Sequence, residues 1–139
     1  AHIHGNILQT SIRLWQIFLE CAQNAQDDKV SNGYAEQIQN YVRQHYIDGF
    51  TSAQIQEACG LSYKYAGTLF KEVTGQTIKE YQCTLRLRKA EQLLKETNKS
   101  ITEIAQLTGF SDVFYFSKIF HRKKGCPPGE YRKTYIPGI

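Results

Sequence analysis

The second half of the chain contains an internal repeat, in which residues 55–81 return as residues 104–131. Up to the turn the copies match at one offset, so that Ile55 pairs with Ile104 and Gly60 with Gly109. After Ser62 and Ser111 the offset grows by one, and the pairs are Tyr65 with Tyr115, Phe70 with Phe120, Gly75 with Gly125, Glu80 with Glu130 and Tyr81 with Tyr131. Apolar residues recur at helical spacing on both sides of each glycine. The repeat therefore predicts two units, each with a short helix, a tight turn and a second helix, which is the helix-turn-helix form.

The composition indicates an all-α chain. Only three of the 139 residues are proline, and no alternating run of β-branched residues predicts a strand. No apolar stretch approaches the ~20 residues that cross a bilayer. We predict two helix-turn-helix subdomains joined by a long linking helix and preceded by an N-terminal amphipathic helix. The expected limits are residues 1–33 for the connecting helix and loop and 34–139 for the double helix-turn-helix domain, with units at about 35–75 and 100–135 and the linking helix at about 77–97.

An amphipathic helix is predicted for residues 7–25. Its apolar face consists of Leu8, Ile12, Trp15, Phe18, Leu19, Ala22 and Ala25. We expect this face to pack on the rest of the chain. Leu8, Trp15 and Ala22 are also seven residues apart, which leaves a short coiled-coil homodimer as the alternative. The polar residues 26–33, which end in Gly33, predict a linker.

Charge is distributed unevenly along the chain. The residues before Ser62 carry a net charge of −3, and the remainder carries +7. An excess of this kind in the part that holds the repeat favours a polyanion as partner. A solvated surface is the alternative explanation of the charge.

The second helix of each unit, predicted for residues 63–74 and 113–124, has the chemistry of a major-groove surface. We expect Tyr65, Ala66, Leu69, Phe70 and Val73, and in the repeat Tyr115, Phe116, Ile119 and Phe120, to form the core faces. The predicted base-contacting residues on the opposite faces are Lys64, Gly67, Thr68, Val113, Phe114, Ser117 and Lys118. Lysine donates to guanine, hydroxyl groups bond base edges, and apolar groups pack on thymine methyls. For Val113 and Phe114 the alternative is that they cover a neighbouring helix, and for Gly67 that the position is under no constraint.

A second set of residues is expected to contact phosphates. Helix N-termini offer free N–H groups, and basic side chains position a protein on the DNA backbone without contacting bases. The predicted set is Ser62, Lys71, Arg86, Ser111, His121, Arg122 and Lys123.

The cysteine pattern gives no sign of a metal site or of catalysis. Cys21, Cys59, Cys83 and Cys126 form no Cys-x-x-Cys pair and have no histidine at zinc-site spacing. We expect no metal and no cofactor, reduced thiols in a cytoplasmic protein, and no enzymatic activity, since no catalytic constellation is visible. A protein-interaction module that uses Phe114 and the Trp15 face is the competing class, and its binding would lack the steep salt dependence of DNA binding.

These residues resemble the DNA-binding domain of the AraC/XylS family of bacterial transcription regulators. The similarity extends over about residues 34–135. Its most specific part consists of Arg86, Ala90, Leu93, Leu94, Ser100, Ile101, Ile104, Ala105, Gly109, Phe110, Ser111, Asp112, Tyr115, Phe116, Ser117, Lys118, Phe120, Gly125, Pro128, Tyr131 and Arg132.

The resemblance implies seven helices and a transcription regulator, expected to be an activator that also contacts RNA polymerase. Both recognition helices would enter successive major-groove segments, with ~10 base pairs between half-sites. One departure is Gln56, where the second unit has the small residue Ala105 that is usual in the family, and it implies a less tightly packed first unit. The resemblance also implies an effector-sensing or dimerisation domain before this one, and we expect the chain to be a fragment of a longer protein.

Overall fold

A computed structural model describes the backbone of residues 2–135 and the side chains of residues 9–135. Within this part of the chain there are seven α-helices and no strands. They are α1 (His2–His45), α2 (Ser52–Cys59), α3 (Tyr63–Thr74), α4 (Ile78–Glu96), α5 (Ile101–Leu107), α6 (Val113–Lys124) and α7 (Pro128–Tyr135). The predicted all-α fold with two helix-turn-helix units and a linking helix is confirmed. None of the described helices is both long enough and apolar enough to cross a membrane.

Three of the helices begin with a reciprocal capping box. In each box a hydroxyl oxygen accepts a bond from the backbone three residues on, and the side chain there accepts one in return. The pairs are Thr51 with Gln54 at α2, Thr77 with Glu80 at α4, and Ser100 with Glu103 at α5. The box at Ser100 agrees with the sequence, in which Glu103 follows Ser100 by three residues at the predicted start of the second unit. These caps define the residue at which each of the three helices begins.

The first hydrophobic core lies between the C-terminal end of α1, α2, α3 and the start of α4. Its buried members are Ala35, Ile38, Val42, Ile55, Cys59, Ala66, Leu69, Phe70 and Ile78. The second core lies between the later part of α4, α5 and α6, and its buried members are Leu87, Ala90, Leu94, Ile104, Ala105, Phe110, Phe116, Ile119 and Phe120. Helix α4 therefore contributes its two ends to two different cores.

The N-terminal helix differs from the sequence prediction in two respects. Residues 26–33, predicted as a linker, are part of one continuous helix, α1. Gly33 costs about 1 kcal/mol within a helix, and docking of the following turns onto the first core offsets this penalty. Residues 26–30 include Gln26 and Lys29, which suit a helix well, so nothing there ends it.

The apolar face of the N-terminal helix does not pack on the rest of the chain as predicted. Every side chain from Gln9 to Val30 is exposed. Trp15 is 65% and Phe18 63% exposed, while Leu8 lies outside the residues whose side chains are described. Among the α1 residues whose side chains are described, those that pack in the first core begin at Tyr34, because α2, α3 and α4 lie at the C-terminal end of the helix.

Candidate nucleic-acid interface

Helices α3 and α6 dock on their cores in the same way. Over eight successive positions, residues 63–70 and 113–120, the two helices have the same sequence of buried, half-buried and exposed side chains. Phe70 and Phe120 are both fully buried, and Leu69 and Ile119 are both 6% exposed. Each unit therefore presents an equivalent outer face of its second helix.

The two turns that lead into these helices differ by one residue. In the first unit the hydroxyl of Ser62 caps α3 and accepts a 3.3 Å bond from the N–H of Tyr65. In the second unit Asp112 is inserted, and its Oδ1 accepts a 2.9 Å bond from the N–H of Phe114. This insertion is the cause of the change in repeat offset.

The N-cap of α6 is relevant to the phosphate contact that was predicted for Ser111. Ser111 is exposed but does not cap the helix, because Asp112 takes that position. A carboxylate there already accepts from a first-turn N–H group and repels a phosphate. Asp112 makes the start of α6 less favourable for a phosphate than the neutral cap Ser62 makes the start of α3, and the contact of Ser111 stays a prediction.

The family departure at Gln56 does not disturb the first core. Gln56 is exposed, and its Oε1 accepts a 3.0 Å hydrogen bond from the N–H of Tyr63 at the start of α3. Ala105, at the equivalent place in the second unit, is 1% exposed and packs in the second core. The glutamine thus connects α2 to α3 across the turn, beside a first core whose members are buried.

The outer face of α3 forms one wall of an open groove. The groove has a volume of about 420 Å³ and is lined by Tyr63, Lys64, Gly67, Thr68, Lys71, Thr77, Ile78 and Lys79. Lys64 and Thr68 are exposed, and Thr68 Oγ1 donates a 3.1 Å bond to the carbonyl of Lys64. A Cβ atom added at Gly67 would meet nothing within 4 Å. Packing within the chain therefore gives no reason for a glycine at this position.

The outer face of α6 is dominated by one aromatic ring. Phe114 is 82% exposed, more than any other large hydrophobic residue of the described chain, and lies two residues before the buried Phe116. Lys118 is exposed and Ser117 half-buried on the same helix. Val113 was predicted to point outward with them, but it is half-buried against the second core, so the alternative of covering a neighbouring helix holds for Val113 and not for Phe114.

Two tyrosines predicted for the core faces are exposed instead. Tyr65 is 58% and Tyr115 54% exposed, and they occupy equivalent positions in α3 and α6. Val73, which was also predicted for the core, is 38% exposed near the end of α3. Both tyrosines sit next to the outer-face residues Lys64 and Phe114, which makes them additional candidates for DNA contact. Their repetition could not have identified them, since the buried Phe70 and Phe120 repeat at the same offset.

The basic residues predicted to contact phosphates lie mostly on the outer surface. Lys71, His121, Arg122 and Lys123 are exposed in the last turns of α3 and α6. The pKa of Glu80 at the start of α4 is lowered, first by its bond from the Thr77 backbone and further by the charges of Lys71 and Lys123. The C-terminal parts of both recognition helices thus place positive charge around the beginning of the linking helix.

Arg86 does not belong to this surface. It is half-buried, and its Nε donates a 2.6 Å bond to the carbonyl of Tyr46 while Nη2 donates a 3.3 Å bond to that of Ile47. Its guanidinium carbon lies 5.7 Å from the centroid of the Phe110 ring. The two carbonyl bonds and the ring contact give Arg86 a role in internal support, and its phosphate contact stays a prediction.

Comparisons with known proteins agree with this arrangement. Residues 55–134 match the family model of a helix-turn-helix domain. The chain is 32% identical to the HTH-type transcriptional activator Btr of Bacillus subtilis over 107 residues, covering 77% of this chain and 20% of Btr. It is 31% identical to the HTH-type transcriptional activator RhaR of Mannheimia succiniciproducens over 131 residues, covering 93% of this chain and 48% of RhaR.

A solved structure has a fold similar to that of this chain. The crystal structure of a transcriptional regulator with an AraC-type DNA-binding domain from Chromobacterium violaceum superposes with a TM-score of 0.71 and 26% identity, covering 80% of this chain and 99% of that one. The chain spans from a fifth to about half of the length of the two curated relatives. With its two equivalent helix-turn-helix units and the family match over more than half of its length, the chain belongs to the AraC/XylS family of DNA-binding transcription regulators.

Proposed function

We propose that this chain binds a DNA site of two elements, with α3 and α6 in successive major-groove segments. The observation that carries the proposal is that α3 and α6 are docked identically while their outer faces differ. The base-contacting residues would be Lys64, Gly67, Thr68 and Tyr65 on α3, and Phe114, Tyr115, Ser117 and Lys118 on α6. The two helices would therefore recognise different sequences.

The phosphate contacts of the proposal come from the helix ends. Ser62 caps α3 with a neutral hydroxyl, Lys71 and Lys123 lie near the start of α4, and His121 and Arg122 are in the last turn of α6. These residues would hold the protein against the DNA backbone and give binding its salt dependence, with a log–log slope of about −0.9 per neutralised phosphate. Because the DNA of a bacterium lies in its cytoplasm, the site of action would be the cytoplasm.

The experiment that tests this function is in vitro selection from random duplex DNA at near-physiological salt. We expect enrichment of a site with two elements about one helical turn apart. A single enriched element would contradict binding by both units. The protein-interaction alternative, in which Phe114 packs on another protein, would be supported instead if no DNA sequence is enriched and the residual binding to DNA does not weaken with salt.

We propose further that the whole protein activates transcription and contacts RNA polymerase. The support is that Btr and RhaR are both named transcriptional activators. Transcription in vitro with purified polymerase, on a promoter that carries the selected site, tests this role. Increased product with the chain present is the expected result, and decreased product would identify a repressor.

A second copy of the chain is our proposed partner for the exposed part of α1. The apolar segment of α1, defined here as residues 12–19, exposes Ile12, Leu14, Trp15, Ile17, Phe18 and Leu19, each by more than half. Contiguous exposed apolar surface of this kind marks an interaction surface. The long α1 helix would allow two copies to pair along this segment while both DNA-binding units stay accessible.

The single tryptophan of the chain gives a direct test of that pairing. Burial of Trp15 in a dimer should shift its fluorescence emission to shorter wavelength as protein concentration rises, in parallel with the mass measured by analytical ultracentrifugation. Phe18→Lys should abolish both changes, and Gln16→Lys should leave them intact. Constant monomer mass with constant emission would contradict the homodimer.

A further inference from the structure

The two helix-turn-helix units meet at a junction around Arg86, which lies near the middle of α4. On the side of the first unit, the Arg86 guanidinium donates to the carbonyls of Tyr46 and Ile47, at 2.6 and 3.3 Å. These two residues directly follow α1. Gln82, one turn earlier on α4, donates a 3.3 Å bond to the same Tyr46 carbonyl. The loop after α1 is therefore held against the linking helix.

On the other side, Arg86 contacts the turn of the second unit. The Phe110 ring lies 5.7 Å from its guanidinium carbon, within cation–π distance. Gly109 has a φ of +91°, and a Cβ atom there would overlap the carbonyl oxygen of Ile47 and lie 2.9 Å from Arg86 Nε. The glycine thus allows the turn of the second unit to approach the loop of the first unit directly.

The chemistry of the junction requires an arginine. Burial lowers the pKa of Arg86, and the cost of burying its charge is offset by two carbonyl acceptors and an aromatic face. A planar guanidinium donates in two directions at once and stacks on a ring, whereas a lysine ammonium is a point charge. Arg86→Lys therefore keeps the positive charge but removes the planar group that donates in two directions and stacks on the Phe110 ring.

We infer that Arg86, held between Ile47 and Gly109, fixes the orientation of the second unit relative to the first and thereby sets the spacing of the two DNA elements. The inference rests on the proposed two-element binding. The two cores share no buried residue, since α4 gives Ile78 to one and Leu87, Ala90 and Leu94 to the other. Within the described part of the chain, the Arg86 junction joins the two units in addition to the continuous helix α4, and it would resist rotation of one unit against the other.

A fixed orientation has a measurable consequence for binding. When two linked modules bind together, affinity depends on whether the linkage presents both at the right distance. A rigid junction should make the wild-type chain lose affinity on the order of tenfold or more when one base pair is inserted between the elements. A loosened junction should lower affinity for the optimal site and flatten this dependence on spacing.

The test compares the wild-type chain with Arg86→Lys and with the control Arg88→Lys, which changes an exposed arginine two residues further along α4. Affinity is measured for the selected site and for versions with one base pair added or removed. Residual dipolar couplings, measured without DNA, report the relative orientation of α3 and α6. We expect Arg86→Lys to change the couplings between units and flatten the spacing profile, and Arg88→Lys to change neither.

An unchanged spacing profile and unchanged couplings in Arg86→Lys would overturn the inference. If that variant does not fold, Phe110→Leu provides the same comparison, because it keeps an apolar side chain in the second core and removes the ring beside Arg86. A wild-type chain that binds no two-element site would refute the proposed function. The residual dipolar couplings, which are measured without DNA, would still show whether Arg86 orients the two units.

Discussion

The backbone N–H of Tyr63, the first residue of α3, donates a 3.0 Å hydrogen bond to the side-chain oxygen of Gln56 on α2. This bond satisfies one of the N–H groups that the first turn of a helix leaves without an intrahelical partner. Gln56→Ala should lower the free energy of unfolding by about 0.5–1.5 kcal/mol, as measured by urea denaturation. The control Gln106→Ala, at an exposed residue of α5, should have little effect, and equal losses in both would contradict the capping role of Gln56.

Substitutions of Phe114 and Phe116, which lie two residues apart on α6, should separate DNA binding from stability. Phe114 is 82% exposed, so Phe114→Ala should change the free energy of unfolding by less than about 0.5 kcal/mol. It should weaken specific DNA binding by about 1 kcal/mol or more, because an apolar base contact is lost. Phe116 is fully buried, and Phe116→Ala should cost about 3–5 kcal/mol of stability. Unchanged DNA affinity in Phe114→Ala would remove this residue from the interface.

Lys118 and Lys123 lie on the same helix and are expected to act differently. Lys118→Ala should cost about 1–3 kcal/mol on the selected site and relax specificity at one base pair. Lys123→Ala should weaken binding to all sequences alike and reduce the salt slope by about 0.9. Competition binding with selected and random duplexes measures both. An equal loss on both duplexes for Lys118→Ala would refute its role in base contact.

The substitution Gly67→Ala tests how closely α3 approaches DNA. A Cβ at this position meets nothing within 4 Å of the protein, so Gly67→Ala should stabilise the chain by up to about 1 kcal/mol through helix propensity. If the backbone of α3 lies against a base pair, the added methyl group should weaken specific binding. Unfolding free energy and DNA affinity would then change in opposite directions. A stabilised variant with unchanged affinity would instead mean that the position is under no constraint.

The fold could be predicted where short-range sequence signals, namely apolar spacing and helix caps, mark the helices. The limits of α3 and α6, and the capping box at Ser100, follow from apolar spacing and caps, which act within a few residues. The continuity of α1 was not predictable in this way. Polar residues 26–32 suit either a linker or an exposed helix, and the choice depends on what the flanking turns pack against.

The candidate interface was predictable in its helices but not in all of its residues. Tyr65 and Tyr115 lie at the edge of the buried stripe, where helical periodicity alone does not decide between core and solvent. Arg86 was assigned to phosphate because its charge is visible in the sequence. Its actual partners, the carbonyls of Tyr46 and Ile47, are about 40 residues away in the chain and become neighbours only through the fold.

The capping boxes of α4 and α5 should give the chain a dependence on acid pH. Hydrogen bonds from the Thr77 and Ser100 backbones lower the pKa values of Glu80 and Glu103 below their ordinary value of 4.5. Their stabilisation is present above pH 4.5 and is lost as the pH falls through the lowered pKa values. The double variant Glu80→Gln/Glu103→Gln should keep both bonds, as Gln54 does at α2 with a 2.8 Å bond from its own cap residue, but cannot titrate. Urea unfolding from pH 7 to pH 3 should therefore show a stability difference between wild type and variant that shrinks below pH 4.5, and a difference independent of pH would contradict the assignment.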